Sequence, residues 1–559
     1  MTVKEALSKT KTAAKLAGDF YIRHTKACIC AFFALVFVFG FIAAFDYGIN
    51  YDSPSEHEIT MVNVKYIGEK LLGEHFYSDQ SYFRNVPSLE NYKERDHGKA
   101  MFYPYAVFKE LVRPSAPTLR TSMNAYTFCV NFIGIIFIYL VAVRLLKRRR
   151  YGILAVLLWL ASPRIFADTI YNEKDMVFAG LVMASVYFSI RVLEKPNLRD
   201  AVLLGISAAF ACNARILGLA FPALALIYYI IKLIKSRQWK LKSILPIPVA
   251  LLTCFTVFCL ITPATWISIT DYFTYTFTAS ADFSRWHGSV RYFGELYNND
   301  TNPLPWHYLP VIILMTTPIL ICAAIAFGIF AFWRDRREEN QAWFILLQIF
   351  VVLPIAFVMI KGSNIYNGWR HFYFLFPPMI LIALYGIKYL LESKPKAVIF
   401  NRRNIAVGLI VLQLTSSLGW GAVNHPYEYV FFNLPFKFAA KECDLDYWNL
   451  SAYDALTFCV EKDKGSFTIS AGDTHSDYAL SAAFFCQDEA AQNRISVLPY
   501  TYAEEAEYLL INPFYYNEMQ ELGRKYTPID FSKYSLFKQI KVDGNAIMSV
   551  YKKLQGESN

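Results

Sequence analysis

Residues 123–146 read MNAYTFCVNFIGIIFIYLVAVRLL, and the four basic residues of 147–150, KRRR, follow at once. A predominantly apolar run of this length can cross a bilayer as a helix, which takes ~20 residues. Lysine and arginine concentrate on the cytoplasmic side of such helices. The stretch is therefore predicted to be a transmembrane helix whose C-terminal end faces the cytoplasm.

The rest of the chain has the same character. Of its 559 residues, 55% are hydrophobic, 17% aromatic and only 18% charged, and the mean hydropathy is +0.28. These values are too apolar for a soluble domain of this length. The formal net charge is +10, but the basic residues stand in short clusters between apolar segments and form no single basic face. A membrane protein is predicted, with no nucleic-acid partner.

Apolar segments recur along the whole sequence, and most are close to the length that a span requires. They comprise residues 27–46, 123–146, 151–168, 176–193, 200–213, 215–235, 243–265, 309–332, 342–360, 371–391 and 404–423. The segment 200–213 is the shortest of them. The sequence thus predicts a polytopic α-helical membrane protein with about eleven transmembrane helices.

Basic residues orient these spans. Those before the first span are Lys4, Lys9, Lys11, Lys15, Arg23 and Lys26. The clusters in 191–199, 232–242, 334–337 and 394–403 fall on the same side as residues 147–150 when the spans alternate, so this side is predicted to be cytoplasmic. No small-residue cleavage site follows the first span, which is predicted to be a retained helix and not a signal peptide.

This topology divides the chain into a cytoplasmic segment 1–26, a transmembrane domain 27–423 and an external domain 424–559, because an odd number of spans separates the two ends. The large hydrophilic loops 47–122 and 266–308 are predicted to be external as well. The functional site of the protein is therefore expected on the non-cytoplasmic side of the membrane.

The tail has the pattern of a small α/β domain. Residues 466–471, 494–498 and 507–511 resemble short strands, and residues 478–486 suit a helix. Residues 537–551, with Asp543 and Gly544 at their centre, carry a hairpin signal.

Three of the ten cysteines, Cys443, Cys459 and Cys486, lie in this tail. An oxidising compartment would allow one disulfide there and leave one thiol over, and the spacing does not decide the pairing. No CxxC or HxxxH spacing occurs in the chain, which argues against a dedicated zinc site. No cofactor is predicted, and a divalent metal is not indicated by any motif but stays open.

Candidate site residues appear first after span one, where Asp52, Glu56 and Glu58 alternate with His57. A carboxylate near a bilayer surface can have its pKa raised by desolvation, as a general base that takes a proton from a hydroxyl requires. An ordinary solvated loop is the alternative.

Two further places set charges beside apolar helices. They are the turn 162–175, with Arg164, Asn172, Lys174 and Asp175, and the position of Arg215 between two apolar segments. Charges at membrane depth are costly unless they pair or meet a polar ligand. Interfacial anchoring by long side chains is the alternative.

The last external turn before the tail, residues 361–371, combines glycines with Tyr366, Trp369, Arg370 and His371. The planar fork of arginine suits a pair of phosphate oxygens, and an aromatic ring could stack on a sugar or lie against an isoprenoid. Aromatic residues at this depth are also ordinary belt residues. The charge density favours an anionic ligand.

Together these motifs resemble a family. The first-loop acid, the residues 162–164 (SPR) with 172–175 (NEKD), the run 366–371 (YNGWRH), and the tail motifs 425–433 (HPYEYVFFN) and 446–448 (DYW) look like bacterial members of glycosyltransferase family 39. These are the protein O-mannosyltransferase-like enzymes of the GT-C superfamily. The resemblance runs from about residue 40 to 450.

The resemblance implies a GT-C-type fold and an inverting transferase that takes a sugar from a polyprenyl-phosphate-linked donor and passes it to a hydroxyl acceptor. The acceptor could be a protein, a lipid or a glycan. It also implies a place in cell-envelope assembly, at the bacterial inner (plasma) membrane, with membrane lipid and the lipid-linked donor as partners.

Carried over by residue, the resemblance makes Asp52 the general base. The family usually has Glu after this Asp, and Ser53 stands there in this chain. Glu56 is therefore kept as a second candidate, and Asp46, which also ends span one, as the alternative in the alignment. Lys174, Arg215, Arg370 and His371 are the cations expected to meet the leaving phosphate.

The sequence leaves two other functional classes open. A transporter or flippase of an amphipathic substrate would also carry intramembrane charges, but transporters usually show paired half-repeats, whereas this chain has large asymmetric loops and a folded tail. A non-catalytic scaffold for envelope assembly is the third reading, and Ser53 keeps it open.

Overall fold

The structure is a computed structural model that describes residues 23–73, 83–237, 240–282, 288–298, 301–335, 340–363, 365–392 and 402–554. The basic residues Lys4, Lys9, Lys11 and Lys15 lie outside the described residues, as do parts of the basic clusters in 232–242, 334–337 and 394–403.

The chain up to residue 424 is helical for most of its described length. Its α-helices are α1 Thr25–Ala43, α2 Ser53–Leu72, α3 Tyr103–Val112, α4 Ala116–Leu146, α5 Arg149–Leu160, α6 Pro163–Tyr171, α7 Asp175–Glu194, α8 Leu198–Ala214, α9 Ala220–Ser236, α10 Leu241–Ile244, α11 Pro246–Ile261, α12 Ala264–Ile267, α13 Ile269–Asp282, α14 Tyr308–Thr316, α15 Ile319–Arg334, α16 Gln341–Lys361, α17 Phe376–Leu391 and α18 Arg402–Asn424. The 3₁₀ turns Ile216–Leu219 and Arg370–Leu375 extend α9 and α17 at their N-terminal ends.

Eight helices in the described part of the chain are long and apolar enough to cross a membrane, and the number rises to ten if each of two bent pairs counts as one span. A polytopic α-helical membrane protein is thus confirmed, whereas the predicted count of about eleven is not. The remaining predicted segment, 200–213, is α8, a helix of 17 residues that packs against α7 and α11.

The two bent pairs lie in the segments 151–168 and 309–332, each of which was predicted as one span. Helices α5 and α6 meet at 82°, and α14 and α15 meet at 120°. Pro163 is the first residue of α6 and Pro318 directly precedes α15. Proline cannot continue the hydrogen-bond ladder of a preceding helix but suits the start of a new one, so the chain turns at both places.

The centre of the bundle lies at α7 and α17, the most buried spans, while α1, α11 and α18 are the most exposed. Helices α4 and α7 cross at two glycines, where a Cβ placed on Gly134 would lie 2.5 Å from the Cα of Gly180. This close crossing fixes the position of α7 along α4, and with it the position of the residues at the N-terminal end of α7.

The tail forms a small α/β domain, as predicted. Its elements are α19 Ser451–Lys462, β3 Phe467–Ala471, α20 Thr474–Phe485, α21 Glu489–Gln492, β4 Ile495–Leu498, β5 Tyr508–Ile511, α22 Pro513–Glu521, β6 Tyr534–Val542 and β7 Asn545–Lys553, with a separate hairpin of β1 Val290–Tyr292 and β2 Glu295–Tyr297 in the loop before α14. The five strands lie in the order β4-β3-β5-β7-β6, parallel from β4 to β5 and antiparallel from β5 to β6.

The predicted hairpin turns at Asp543 and Gly544, whose φ angles are 51° and 85°. Positive φ at both central residues is the geometry of the hairpin turn that Asp-Gly favours. The cysteines of the tail region, Cys443, Cys459 and Cys486, are all buried with free thiols, so no disulfide joins them. The boundary at residue 424 and the side of the membrane on which the domain lies stay predictions.

Candidate active site

A polar pocket lies where the ends of several helices meet the tail. It encloses about 370 Å³ of empty space, part of which is open to solvent. Its lining consists of Asn50, Asp52, Glu56, Asn172, Glu173, Lys174, Asp175, Arg215, Tyr366, Arg370, His371 and Trp448. The fold therefore brings together nine of the eleven residues that the sequence suggested as catalytic or binding.

Five separate parts of the chain supply this lining. They are the loop before α2 with the first turn of α2, the loop 172–174 with the first residue of α7, Arg215 after α8, residues 366–371 before α17, and Trp448 before α19. The break between α6 and α7 and the turn after α8 leave polar backbone and side chains at the same end of the bundle. The pocket depends on the whole helical arrangement.

Asn50 holds the first of these parts in place. Its Oδ1 accepts hydrogen bonds from the backbone N–H groups of Asp52 and Ser53, both at 2.9 Å, and its Nδ2 donates to the carbonyl oxygen of Tyr171 at 2.8 Å. A buried asparagine with these three bonds fixes the start of α2 against the end of α6.

Ion pairs link the parts to one another. Arg370 pairs with Asp52, and Arg215 pairs with Asp175. Lys174 Nζ lies 3.3 Å from Glu56 Oε1. Each of these pairs joins residues from different segments, so the charges of the pocket are largely balanced before any ligand enters.

Among the carboxylates that line the pocket, solvent reaches Asp52 most easily. Its side chain is 36% exposed, compared with 10% for Glu56 and 2% for Glu173. Its Oδ2 accepts a hydrogen bond from Nη1 of Arg370. An acceptor hydroxyl that enters the pocket can therefore approach Asp52 more directly than either glutamate.

Glu56, the second catalytic candidate, is in a different environment. Burial disfavours its charged form, but Lys174 and Lys99 outweigh burial and hold the pKa of Glu56 below its usual range. Lys99 Nζ lies 3.1 Å from Glu56 Oε2. A buried carboxylate that two ammonium groups keep ionised is better suited to structure than to accepting a proton.

Ser53, which departs from the family pattern, binds a carboxylate from elsewhere in the chain. Its Oγ donates to Glu173 Oε1 at 2.8 Å, and Lys99 Nζ lies 3.3 Å from Glu173 Oε2. Burial raises the pKa of Glu173, Lys99 opposes that rise and Glu56 adds to it. Glu173 thus places a carboxylate beside the position where the family usually has Glu.

Three N–H groups of the lining residues are buried and donate to no acceptor among the described residues. They belong to Arg215 Nε, Arg370 Nε and Trp448 Nε1. The Arg370 guanidinium lies 4.5 Å from the centre of the Trp448 ring and 5.3 Å from that of Tyr366. Buried donors without acceptors are costly, and an anionic ligand with several oxygens would satisfy them.

Two of the predicted binding residues do not line the pocket. Arg164 is 2% exposed, donates to the carbonyl oxygen of Phe431 at 3.3 Å and faces aromatic rings. Trp369 is also buried, and its Nε1 donates to Thr316 Oγ1 at 2.9 Å. Asp46, the alternative base, is 58% exposed and pairs with His425 at 3.0 Å, outside the pocket.

The structure adds Asn50, Glu173 and Trp448 to the lining, with Lys99 behind it. Glu173 and Trp448 belong to the motifs 172–175 and 446–448, Asn50 stands two residues before Asp52, and Lys99 follows the charged residues of 94–97. Only the folded arrangement distinguishes them from their neighbours, because their partners come from distant segments.

The described part of the chain contains one group of three residues that could bind a metal ion. Glu94, Asp96 and His97 can bring ligand atoms within 4.8 Å of one another. His97 Nδ1 already lies 2.9 Å from Glu94 Oε2 and 3.1 Å from Lys174 Nζ. The adjacent ammonium group disfavours a cation, so the arrangement does not point to a metal centre.

An apolar cavity lies along the same helices that carry the charged residues. Its lining includes Val177 and Gly180 of α7, Ser207 and Phe210 of α8, and Met101. Asp175 begins α7 and Arg215 follows α8. The apolar cavity therefore lies within the membrane part of the bundle, on the helices whose ends form the polar pocket.

Comparisons with known proteins support the resemblance. A family model described as dolichyl-phosphate-mannose-protein mannosyltransferase matches residues 118–266, which include α7 and Arg215. The undecaprenyl phosphate-alpha-4-amino-4-deoxy-L-arabinose arabinosyl transferase 2 of Proteus mirabilis is 24% identical over 305 residues, covering 53% of this chain and 52% of that protein. The corresponding transferase of Pectobacterium carotovorum is 23% identical over 304 residues, or 53% of this chain and 51% of that protein.

The chain thus spans about half the length of these relatives. Among solved structures, the crystal structure of ArnT from Cupriavidus metallidurans bound to undecaprenyl phosphate aligns with a TM-score of 0.47 at 14% identity, covering 94% of this chain and 98% of that one. The sequence matches confirm the resemblance to the protein O-mannosyltransferase-like group of the GT-C superfamily.

Proposed function

We propose that the chain is a membrane glycosyltransferase. It transfers a sugar from a polyprenyl-phosphate-linked donor to the hydroxyl group of an acceptor, which is a protein, a lipid or a glycan. The observation that carries the proposal is the set of buried donors without a described acceptor on Arg215, Arg370 and Trp448 beside Asp52, the most exposed carboxylate of the pocket. The similar transferases and the family model support the same class of reaction.

The donor phosphate binds at the two arginines of the pocket. Arg370 and Arg215 come from different segments, and each has an Nε donor free of any described acceptor. Guanidinium groups bind phosphate oxygens through two parallel hydrogen bonds, which a lysine cannot reproduce. Because the phosphate gains charge as the bond to the sugar breaks, these contacts strengthen in the transition state and lower the barrier.

Asp52 acts as the general base. Its carboxylate takes the proton of the acceptor hydroxyl, the oxygen attacks the anomeric carbon, and the lipid phosphate leaves with the electron pair of the broken bond. Arg370 contacts Asp52 before the donor binds. When the phosphate binds Arg370, the Asp52 carboxylate is free to accept a hydrogen bond from the acceptor hydroxyl. Attack from the face opposite the phosphate inverts the anomeric centre.

The polyprenyl chain lies in the apolar cavity between α4, α7 and α8. The cavity wall is almost entirely apolar, and it follows helices whose outer ends hold Asp175 and Arg215. A lipid whose phosphate is at the arginines therefore has an apolar cavity along the same two helices to receive its hydrocarbon chain. Burial of hydrocarbon there stabilises donor binding in proportion to the apolar area removed from water.

Binding of undecaprenyl phosphate to the purified protein in nanodiscs tests the phosphate site. Arg370→Ala and Arg215→Ala are each expected to weaken binding about tenfold or more, and Arg370→Lys less than Arg370→Ala. Arg148→Ala is the matched control, because the Arg148 side chain is 64% exposed and lies outside the pocket. Unchanged affinity in both alanine variants of the pocket would remove the arginines from the site.

The pocket and the C-terminal domain face the non-cytoplasmic side of a bacterial inner membrane in this proposal. The alternation of basic clusters supports this orientation. In a cysteine-free background, single cysteines at Thr301 and Ser532 are expected to react with an impermeant maleimide in intact cells, and one at Ser236 is not. Labelling at Ser236 would reverse the orientation.

A further inference from the structure

Tyr51 connects the pocket to the C-terminal domain. It stands between Asn50 and Asp52, which both line the pocket. The centre of its ring lies 4.9 Å from that of Tyr478, and its hydroxyl lies 3.2 Å from Nδ1 of His475. The domain thus contacts the backbone segment that carries the candidate base.

His475 is itself held in a fixed position. Its ring stacks on Tyr515 with a centroid distance of 4.7 Å and an angle of 14°. The backbone N–H groups of His475 and Ser476 donate to Asp473 Oδ1, both at 2.9 Å, so His475 is anchored on the first turn of α20. Burial lowers the pKa of His475 to about 4, and Lys525 adds to this effect. The imidazole is neutral at pH 7 and shares one hydrogen bond with Tyr51.

The same domain also fixes the opposite wall of the pocket. Tyr515 donates to the carbonyl oxygen of Tyr447 at 2.8 Å, and Asn512 Nδ2 donates to Asn449 Oδ1 at 2.7 Å. Between these two contacts lies Trp448, whose carbonyl oxygen accepts from the backbone N–H of Tyr51 at 2.9 Å. The loop of Asp52 and Trp448, whose ring lies against Arg370, are therefore attached to each other and to the same C-terminal domain.

We propose that the C-terminal domain positions the reacting carboxylate and that His475 is a positioning residue, which acts on Asp52 through Tyr51. The effect on turnover rests on the proposed transferase function, whereas the effect on the loop does not. Asp52 directly precedes α2 and its side chain is 36% exposed, and a carboxylate must stay in a fixed place relative to Arg370 to meet both the acceptor and the phosphate.

Three variants isolate the contact in the full-length protein. His475→Phe keeps a ring to stack on Tyr515 but removes Nδ1, whereas His475→Asn keeps a polar atom near that position. Tyr51→Phe removes the other half of the same hydrogen bond. The matched control is Tyr534→Phe, because Tyr534 lies in the same domain and its hydroxyl bonds only to backbone carbonyls of 503–506 in the described contacts.

Hydrogen exchange measures the positioning without any substrate. The amides of Tyr51, Asp52 and Ser53 are all hydrogen-bonded. Their exchange is expected to be about tenfold faster in His475→Phe and in Tyr51→Phe, and close to wild type in His475→Asn and Tyr534→Phe. Faster exchange in the peptides of β3–β5 would show that His475→Phe also loosens the C-terminal domain. In that case the test rests on Tyr51→Phe, which changes no residue of that domain. Unchanged exchange at 51–53 in Tyr51→Phe would overturn the proposal.

Turnover supplies the second readout. With undecaprenyl-phosphate-linked sugar as the probe, kcat is expected to fall about tenfold in His475→Phe with less change in KM, and the Tyr51→Phe/His475→Phe double variant is expected to be no worse than either single one. Faster exchange at 51–53 with full turnover would refute the catalytic part. If the wild-type protein itself has no transfer activity, the exchange result still decides the positioning, so the two failures are distinguishable.

Discussion

Among single residues, Asp52 carries the chemistry of the proposal. Asp52→Asn removes the proton acceptor and keeps the shape, so turnover is expected to fall by about 10²–10⁴-fold, the usual contribution of general acid–base catalysis. Undecaprenyl phosphate should bind at least as tightly as to wild type, because Arg370 loses its carboxylate partner. Steady-state kinetics and a binding titration in nanodiscs measure the two effects.

Asp46→Asn is the matched control for that variant. Asp46 also follows span one, but its carboxylate is outside the pocket and pairs with His425. The control is expected to keep wild-type turnover. Full activity in Asp52→Asn together with loss in Asp46→Asn or Glu56→Gln would assign the base to the other acid.

Ser53 is the residue at which the chain departs from the family that it resembles, and its contact with Glu173 makes a second prediction. Ser53→Glu would bring two carboxylates together at a buried position. Like charges without separate partners destabilise the fold, here by on the order of 1–3 kcal/mol. Thermal unfolding in detergent measures the loss.

The double variant Ser53→Glu/Glu173→Gln tests the reason for that loss. In this variant the carboxylate stands at position 53 and the neutral partner at position 173, and Lys99 stays close to a negative charge. We therefore expect it to recover a large part of the stability that Ser53→Glu loses. No recovery would show that crowding, and not charge, makes glutamate unfavourable at position 53.

At the scale of helices, the sequence predicted where apolar segments lie but not how they bend. All eleven predicted segments overlap helices, yet two of them contain the breaks at Ser162 and Thr317. Hydropathy averages over a window and does not register a single proline, although Pro163 and Pro318 were visible in the sequence. The break between α6 and α7 matters for the site because it places residues 172–174 in the pocket.

The crossing of α4 and α7 allows a prediction about packing. Gly134→Ala would put a Cβ 2.5 Å from the Cα of Gly180. Because that neighbour is backbone, the helices must separate, and we expect a loss of about 1–3 kcal/mol in stability. The Tm in detergent checks this. Gly408→Ala in α18 is the control, since no atom lies within 4 Å of the added Cβ; an equal loss in both variants would refute the packing argument.

For the whole molecule, the contact between the C-terminal domain and the loops that precede α14 and α17 contains buried carboxyl groups. Burial raises the pKa of Glu518 to about 8, with Asp444 adding to the rise, and burial raises the pKa of Asp444 to about 7. Asp444 accepts hydrogen bonds from Asn367 Nδ2 at 2.5 Å and from the backbone N–H of Arg291 at 2.7 Å.

These raised values predict a pH dependence of stability. Between about pH 4 and pH 8 the folded state binds more protons than the unfolded chain, so their contribution to stability is lost as the pH rises through that window. The difference in Tm between wild type and Glu518→Gln should shift in favour of the variant from pH 6.5 to pH 8.5. Glu505→Gln, at an exposed position of the same domain, is expected to show no such shift. A constant difference for Glu518→Gln would contradict the assignment.

The site was predictable in parts but not as an assembly. Charged residues beside apolar segments drew attention to Asp52, Lys174, Arg215 and Arg370, because such residues are costly at membrane depth. The same rule also selected Arg164, which the fold buries against backbone and aromatic rings. Sequence alone does not separate a residue that serves the pocket from one that serves packing, since the difference lies in contacts between distant segments.

The most direct test of the account is release of undecaprenyl phosphate from a labelled lipid-linked sugar. Purified wild-type protein in nanodiscs would be given undecaprenyl-phosphate-linked mannose and aminoarabinose in turn, with a membrane extract as the source of acceptors. We expect release of the lipid phosphate with transfer of label to an acceptor, and little of either in Asp52→Asn. Movement of the intact donor across the bilayer without release, or binding without either, would contradict the account in favour of a transporter or a scaffold.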